Sequence, residues 1–572
     1  MVLSSTTDAQ STRPAFSRIG WLLVVVMATA LWFVDLGGRA LQHPDEGRYA
    51  EIAREMLVTH DFLTPRLNGL KYFEKPPLQY WMTAGSFAVL GTTEGAARFA
   101  SVLATWLAVL IIGYAGWRIA SPTIGIYAAL ALAGSIWYFG LAHILTVDAL
   151  LCACLAIALA AFLVAQTSTI SRVQRRCWML IAWIAIAGAM LTKGLVALAI
   201  PGASLVLYSL FTRDWAVWKR LELLAGVLVF AVVAGPWFLL VSQANPEFAH
   251  FFFVHEHFER FLTTEHRRIG AWWYFVPLFL VGLIPWIGIF LSGLRGAWRM
   301  PADPDTRFGW ARFCLVWVAF VFLFFSASSS KLPSYILPLF PAAALVIGWR
   351  LATIERGTLF ALALPLPIGV AILLALTVFS YDDAVVRIAN AESPAELYFA
   401  GKPWIEAALI TGFVGYSVAT VASRRAGAVA RGTFVALLAL TTIAMCQLLL
   451  AGADVFRLTR STADLVPRVI ADPVRPYDPT APFYQVETYD QTLPFYLGRT
   501  TTLVAYRDEL SLGLDLEPEK GIDHEDDWVA RWRGLPQGYA LLTPQTLERL
   551  GAAGLPYREV VRDPRHVVIA RN

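Results

Sequence analysis

The residues of this chain that could do chemistry gather in one stretch, Gln42 to Tyr80. At its ends stand His43-Pro44-Asp45-Glu46-Gly47-Arg48-Tyr49 and Lys71-Tyr72-Phe73-Glu74-Lys75-Pro76-Pro77. The stretch lies between apolar segments long enough to cross a bilayer. Acids and bases beside hydrocarbon are costly unless they meet something there, which makes this loop the candidate reaction site. The local pattern leaves a plainer account open. Pro44 suits a first helical position, Asp45 and Glu46 then complement the dipole of the first turn, and Tyr49, Ile52, Ala53, Met56 and Leu57 fall on one face of a helix lying along the membrane surface.

The loop must be held by a chain of 572 residues that is 57% hydrophobic and only 15% charged, with 21 Trp, a balance that belongs to polytopic membrane proteins. The net charge of +4 is modest and the cations sit in particular short loops, so nucleic-acid binding is not expected. All five cysteines fall in apolar runs, where Cys152 and Cys154 read as packing rather than as a redox or metal pair, and no disulfide is expected. Apolar runs of crossing length lie at 19–36, 97–117, 122–142, 148–166, 177–192, 194–211, 221–242, 272–292, 310–327, 333–351, 358–380, 404–422 and 431–451, about thirteen in all. The first reads as a retained helix with its basic flank, Arg13 and Arg18, in the cytoplasm.

Leu78 to Leu90 is apolar but only about 13 residues long, short for a crossing. If it does not cross, Arg118, Arg172/Arg175/Arg176, Arg213/Lys219/Arg220, Arg295/Arg299/Arg307, Arg350/Arg356 and Arg424/Arg425/Arg431 all fall in cytoplasmic loops. Loop 38–96, the turns at Asp148 and Lys193, and segments 245–270 and 326–333 then share the opposite face. Beyond Ala451, short alternating runs and more charge replace the apolar blocks. The expected fold is an all-α polytopic membrane domain over 1–451, with interfacial helices in loop 38–96, followed by a mixed α/β soluble domain over 452–572 on the face of that loop.

Four motifs stand in order along the membrane part: Lys75-Pro76-Pro77-Leu78-Gln79-Tyr80-Trp81, Leu145-Thr146-Val147-Asp148-Ala149-Leu150, Leu191-Thr192-Lys193-Gly194, and Lys331-Leu332-Pro333-Ser334-Tyr335-Ile336-Leu337-Pro338. With the acidic pair Asp45-Glu46 ahead of them, they resemble the integral-membrane glycosyltransferases of the C-type fold, which include the protein O-mannosyltransferases. Within these the likeness is to the bacterial transferases that place 4-amino-4-deoxy-L-arabinose on lipid A, and it covers roughly residues 19 to 350. The resemblance implies an undecaprenyl phosphate-linked sugar as donor, lipid A as a membrane-embedded acceptor, and a monomer in the bacterial inner membrane. It also implies a periplasmic active site and C-terminal domain, and a product lipid A that is less anionic and resists polymyxin and cationic peptides.

Under that resemblance Asp45, Asp148 and Glu74 are the catalytic acids. With a hydroxyl acceptor Asp45 would be a general base. With a lipid A phosphate, whose second pKa is about 6, little proton abstraction is needed, and Asp45 instead holds the sugar or supports charge at the anomeric carbon. Asp148 also reads as a plain helix cap. Lys75 and Arg260 are the expected ligands of the donor phosphate, with Lys193, Arg48 and Lys331 as further cations, because fixed positive charge stabilises a leaving phosphate as it develops. The competing account of each is a cation snorkelling to the membrane surface. Tyr72, Tyr335 and Tyr49 read as hydroxyl donors to phosphate or sugar, or as interfacial anchors. In the segment Glu247 to Leu262, read as a helix, His255 shares a face with Phe248, Phe251, Phe252 and Glu259. A divalent cation such as Zn²⁺ bridging Glu74 and His255 is the metal candidate, set against a solvated histidine. Two other functions stay in view: an O-mannosyltransferase-like enzyme acting on Ser or Thr, and a lipid flippase or transporter. The second would call for charged or broken-helix pairs at the membrane midplane.

Overall fold

The computed structural model describes residues 18–254, 270–390 and 392–571. The apolar runs form helices because hydrocarbon offers no partner for backbone N–H and C=O groups, so each span must satisfy its own. In order they are α1 Arg18–Phe33, the loop helices α2 Asp45–Thr59 and α3 Leu78–Leu90 with the strands β1 Arg66–Leu67 and β2 Leu70–Lys71 between them, then α4 Glu94–Ile119, α5 Pro122–Ala133, α6 Ile136–Ala142, α7 Val147–Ala165, α8 Arg172–Lys193, α9 Val196–Thr212 and α10 Leu223–Ala244. After the undescribed segment come α11 Phe275–Gly282, α12 Ile287–Arg299, α13 Trp310–Ala327, α14 Phe340–Thr353, α15 Arg356–Ala363, α16 Pro365–Ile388, α17 Ala395–Ser423 and α18 Ala428–Gly452. Among the described residues nine helical stretches are long and apolar enough to span a membrane, and two bent pairs, α5–α6 at 63° and α11–α12 at 100°, are so when the two helices of a pair are taken together. With the shorter apolar helices α1 and α9 these fall on the apolar runs of the sequence, and the chain is a multi-pass membrane protein.

The short helix α3 does not cross. Arg98, in the first turns of α4, donates to the carbonyls of Leu36, Arg39 and Ala40 just beyond α1, at 2.8 to 3.0 Å. The start of α4 therefore lies at the same end of the bundle as the end of α1. Were α3 a span, those two ends would be a membrane thickness apart.

The soluble part is a six-stranded sheet in the order β5-β4-β3-β6-β8-β7, built from β3 Phe483–Val486, β4 Thr502–Val504, β5 Gly521–Ile522, β6 Gly538–Leu542, β7 Arg558–Arg562 and β8 Val567–Arg571. Its first four strands in that order are parallel and the β6-β8-β7 edge is antiparallel. Side chains alternate between faces with the period of two that strands impose. Ala540, Leu542, Val567 and Ile569 pack on Trp528 and Trp532, while Tyr539, Leu541, Val568 and Ala570 pack on Leu465, Val466 and Leu493.

The structure corrects one expectation. Helix α2 does not rest on the membrane surface with one face in lipid: Glu46 through Met56 are all buried, because the sheet domain covers the helix. Gly47 makes the closest approach, since a Cβ there would stand 2.7 Å from the Thr492 amide nitrogen. Asn68 exchanges hydrogen bonds with the Thr501 backbone at 2.7 and 2.8 Å, and the Leu41 amide donates to the Tyr496 hydroxyl at 2.8 Å. Loop and domain share one apolar core in which Leu41, Tyr49, Ile52, Tyr72 and Tyr80 meet Tyr489, Phe495, Leu503 and Leu510.

Candidate active site

The adjacent acids Asp45 and Glu46 go to different places. Glu46 accepts two hydrogen bonds from the Arg98 guanidinium, at 2.7 and 2.8 Å, and two more from the amides of Leu145 and Gln42, both at 3.1 Å. Burial alone would raise its pKa, but Arg98 outweighs it and holds the carboxyl below the usual range. Glu46 is thus a structural clamp that fixes α2 against α4 and against the turn leading to Asp148. Asp45, on the other side of the turn, is 43% exposed and paired with Arg48 at 2.9 Å.

Arg48 is the hub of what surrounds Asp45. Its second branch pairs with Glu509 of the sheet domain at 2.5 Å, and Gln491 donates to the same carboxylate. Burial works against the charge of Arg48, but Tyr72, Glu509, Tyr49 and Asp45 around it outweigh burial and keep the guanidinium protonated. Burial also pushes the Glu509 carboxyl above its usual range, against the pull of Arg48. The Tyr49 and Tyr80 rings lie 5.9 Å apart beside this pair. Among the described residues Arg48 Nε, the Tyr72 hydroxyl and the Thr146 hydroxyl are buried and find no hydrogen-bond partner. Orphaned buried polar atoms are rare in folded proteins, and Arg48 and Tyr72, which lie close enough to influence each other, fit a place for the hydroxyls of a bound polar ligand.

A second cluster joins three of the motifs. The Lys193 ammonium, at the C-terminus of α8, pairs with one oxygen of Asp148, in the first turn of α7. The other oxygen of Asp148 accepts from the Ser334 hydroxyl at 2.8 Å, and the Tyr335 ring lies 4.3 Å beneath Lys193. Asp148 does sit at a helix start, yet its bonds run to two other elements. The Glu46 contact to Leu145 ties this cluster to the first.

The remaining expected residues divide. Lys75 donates to its neighbour's carbonyl, Glu74 O, at 2.7 Å and lies 3.8 Å from the Glu74 carboxylate, both side chains being partly exposed. Lys331 is buried and donates at 2.8 Å to the carbonyls of Ser326 and Ser328, so it caps the end of α13 rather than pointing at the Asp45 region. Arg260 and His255 lie outside the described residues. Among the described residues no three His, Cys, Asp or Glu side chains are placed to hold a metal ion.

Glu509, Gln491, Arg98 and Ser334 were not singled out by sequence. Ser334 lies within the motif Lys331 to Pro338, Arg98 is an arginine set in the first turns of an apolar span, which is itself a signal, and Glu509 carries none, since nothing local marks which acid of a soluble domain reaches a loop more than 400 residues away.

The comparisons agree with this geometry. The family model for the aminoarabinose transferase C-terminal domain matches residues 470–571, and that for dolichyl-phosphate-mannose-protein mannosyltransferase matches residues 74–238. The undecaprenyl phosphate-alpha-4-amino-4-deoxy-L-arabinose arabinosyl transferase of Edwardsiella ictaluri is 33% identical over 332 residues, 58% of this chain and 59% of that protein. Its counterpart in Sodalis glossinidius is 34% identical over 57% of this chain and 58% of its own. These matches thus span less than two thirds of the curated relatives. The crystal structure of ArnT from Cupriavidus metallidurans bound to undecaprenyl phosphate superposes with a TM-score of 0.90 at 36% identity, covering 97% of this chain and 99% of that one. Its apo form gives 0.89 at 36%, over 97% and 98%. Similar along nearly its whole length to that structure, and carrying both domains in the same order, the chain belongs to the aminoarabinose transferase family.

Proposed function

We propose that this chain transfers 4-amino-4-deoxy-L-arabinose from undecaprenyl phosphate to a phosphate of lipid A, as a monomer at the periplasmic face of the bacterial inner membrane. The observation that carries the reading is that the Asp45–Arg48 pair and the Asp148–Lys193 pair stand at the same end of the bundle, tied through Glu46 and the Leu145 amide, in a chain with a C-terminal domain of the aminoarabinose transferase type. Arginines on the loops at the other end support a cytoplasmic assignment for that face and for the N-terminus.

In the proposed reaction a lipid A phosphate oxygen attacks the anomeric carbon as the bond from that carbon to the donor phosphate breaks, with inversion. No proton need move, because a phosphate with a second pKa of about 6 is already anionic. Asp45 supports the positive charge that builds at the anomeric carbon, and Lys75 with Arg260 stabilises the departing undecaprenyl phosphate. Arg48, Tyr72 and Tyr49 line the place of the sugar, and the carboxylates of Asp45 and Glu509 suit its amino group. Lys193 and Ser334 hold Asp148 in place, and the Tyr335 ring lies against Lys193. A divalent cation at Glu74 and His255 would, when bound, add positive charge beside the phosphate, and no step is routed through it. The product lipid A would be less anionic and bind polymyxin and cationic peptides less well. The match of residues 74–238 to mannosyltransferases supports transfer to a Ser or Thr hydroxyl as a second reading, in which Asp45 is the base.

Mass spectrometry of lipid A decides between them. In cells that make the donor but lack their own transferase, expression of this chain should add pentosamine to lipid A, and the Asp45→Asn chain should not. Unmodified lipid A alongside a newly glycosylated protein would overturn the first reading in favour of the second.

A further inference from the structure

Three side chains of the sheet domain stand beside Arg48 with oxygens that no donor reaches. The backbone of Gln491 packs on the first turns of α2, where a Cβ on Gly47 would meet the Gln491 carbonyl carbon at 2.8 Å. The side-chain nitrogen of Gln491 donates to one oxygen of Glu509, and this fixes the amide, since turning it over would set two oxygens face to face. Gln491 Oε1 is then buried with no partner among the described residues. The second oxygen of Glu509 is in the same position. It meets the Arg48 guanidinium at 2.5 Å, yet off the direction of its N–H bonds, so the contact supplies charge without a hydrogen bond. The hydroxyl of Tyr489, close enough to Glu509 to feel its charge, is a third buried oxygen with no partner among the described residues. Tyr489 and Gln491 are only 7% and 6% exposed, so open solvent does not meet the need of either.

The charges point the same way. One guanidinium, Arg48, serves the carboxylates of both Asp45 and Glu509, at 2.9 and 2.5 Å, which leaves the three groups with one negative charge in excess. Glu74 also lies near enough to Glu509 to add to the negative field, with Lys75 at 3.8 Å as its own counter-charge. Unmet acceptors beside an excess carboxylate call for a donor that carries positive charge. An ammonium brings three N–H bonds and one charge, whereas a hydroxyl brings a single O–H and no charge and would leave most of these oxygens unmet. In a buried setting the difference is large, because hydrogen bonds between ionised partners are about twice as strong as neutral ones.

We infer that Glu509, Gln491 and Tyr489 together read the ammonium group of the donor sugar, so that the soluble domain sets which sugar the membrane domain receives. The inference rests on the donor proposed above and adds to it a division of labour. Arg48 and Tyr72 of the loop line the sugar whatever its substituents, while the three sheet-domain side chains respond to the charge at its amino position. Their part is recognition, with no bond made or broken.

Native mass spectrometry of the full-length protein in detergent tests it, titrated in turn with undecaprenyl phosphate linked to 4-amino-4-deoxy-L-arabinose and with undecaprenyl phosphate linked to L-arabinose, which carries a hydroxyl where the first carries the ammonium. The natural chain should bind the amino sugar donor at least ~10-fold more tightly, the scale of a hydrogen bond to a charged group. Glu509→Gln should bring the ratio of the two affinities close to one. Because Glu509 also pairs with Arg48, a purely structural role would weaken both donors alike and leave that ratio unchanged, which would overturn the inference. Tyr489→Phe removes one buried oxygen and no charge, and should lower the ratio about threefold; it decides the matter should Glu509→Gln not fold. Equal binding of the two donors by the natural chain would overturn the inference as well. Since the readout is binding, a preference for the amino sugar in a chain that fails to modify lipid A would leave the ammonium site standing and remove the proposed reaction instead.

Discussion

Asp45 and Glu46 are neighbours of one charge type on one helical turn, and only the depth of Arg98 separates them. Adjacent helical residues point about 100° apart, so one acid meets the buried guanidinium and the other keeps 43% of its surface. The sequence shows the pair and the helix start but cannot say which acid is spent on structure, because Arg98 lies in a different element. The two should respond to substitution in opposite ways. Asp45→Asn should lower transfer by at least ~100-fold with little change in thermal stability, the scale of losing a group that acts at the reacting centre. Glu46→Gln leaves a buried arginine short of its counter-charge and should cost about 3–5 kcal/mol of stability, and a second change, Arg98→Met, should return part of it. Thermal unfolding and a transfer assay on the same preparations separate the two. Lys75→Ala should weaken donor binding, read by displacement of labelled undecaprenyl phosphate, and Lys75→Arg should retain part of it in a different geometry.

The spans were legible because hydrocarbon forces helices and hydropathy counts them, and the strands at 483–486, 502–504 and 567–571 were near-legible from their alternation. The union of α2 with the sheet domain was not. It rests on contacts such as Arg48 to Glu509 and Asn68 to Thr501, separated by more than 400 residues, which leave no periodic trace. The same union carries a pH dependence. Burial lowers His43 to about 4 from 6.5 despite nearby Asp490. For Asp490 burial works the other way, but Arg565, His566 and His43 bring it from 3.8 to about 2. A histidine kept neutral in the fold contributes stability in full above 6.5, where the unfolded chain is neutral too, and loses it as pH falls toward 4. The aspartate's contribution is present above 3.8 and lost as pH falls toward 2. Both decline toward acid, one after the other. The unfolding temperature of the full chain should therefore drop in two steps below pH 6.5, and His43→Gln should flatten the upper step and, by removing one of the cations beside Asp490, lessen the lower one; a profile level down to pH 4 would contradict this reading of the interface.

Across the whole molecule, the short α3 brings Asp45, Asp148, Lys193 and Tyr335 to one end of the bundle and leaves Ser171 and Gly427 at the other. A single cysteine at Ser329, in a background without the native cysteines, should react with an impermeant thiol reagent added from the periplasmic side. Cysteines at Ser171 or Gly427 should react only once the membrane is opened, and the reverse pattern would contradict the orientation. Orientation alone does not establish chemistry. The most direct test is transfer by the purified chain in proteoliposomes, supplied with undecaprenyl phosphate-linked 4-amino-4-deoxy-L-arabinose and lipid A, with the products read by mass spectrometry. The account predicts pentosamine-bearing lipid A and free undecaprenyl phosphate in equal amounts from the natural chain and neither from Asp45→Asn. Equal turnover by the two chains, or donor cleavage without modified lipid A, would contradict it.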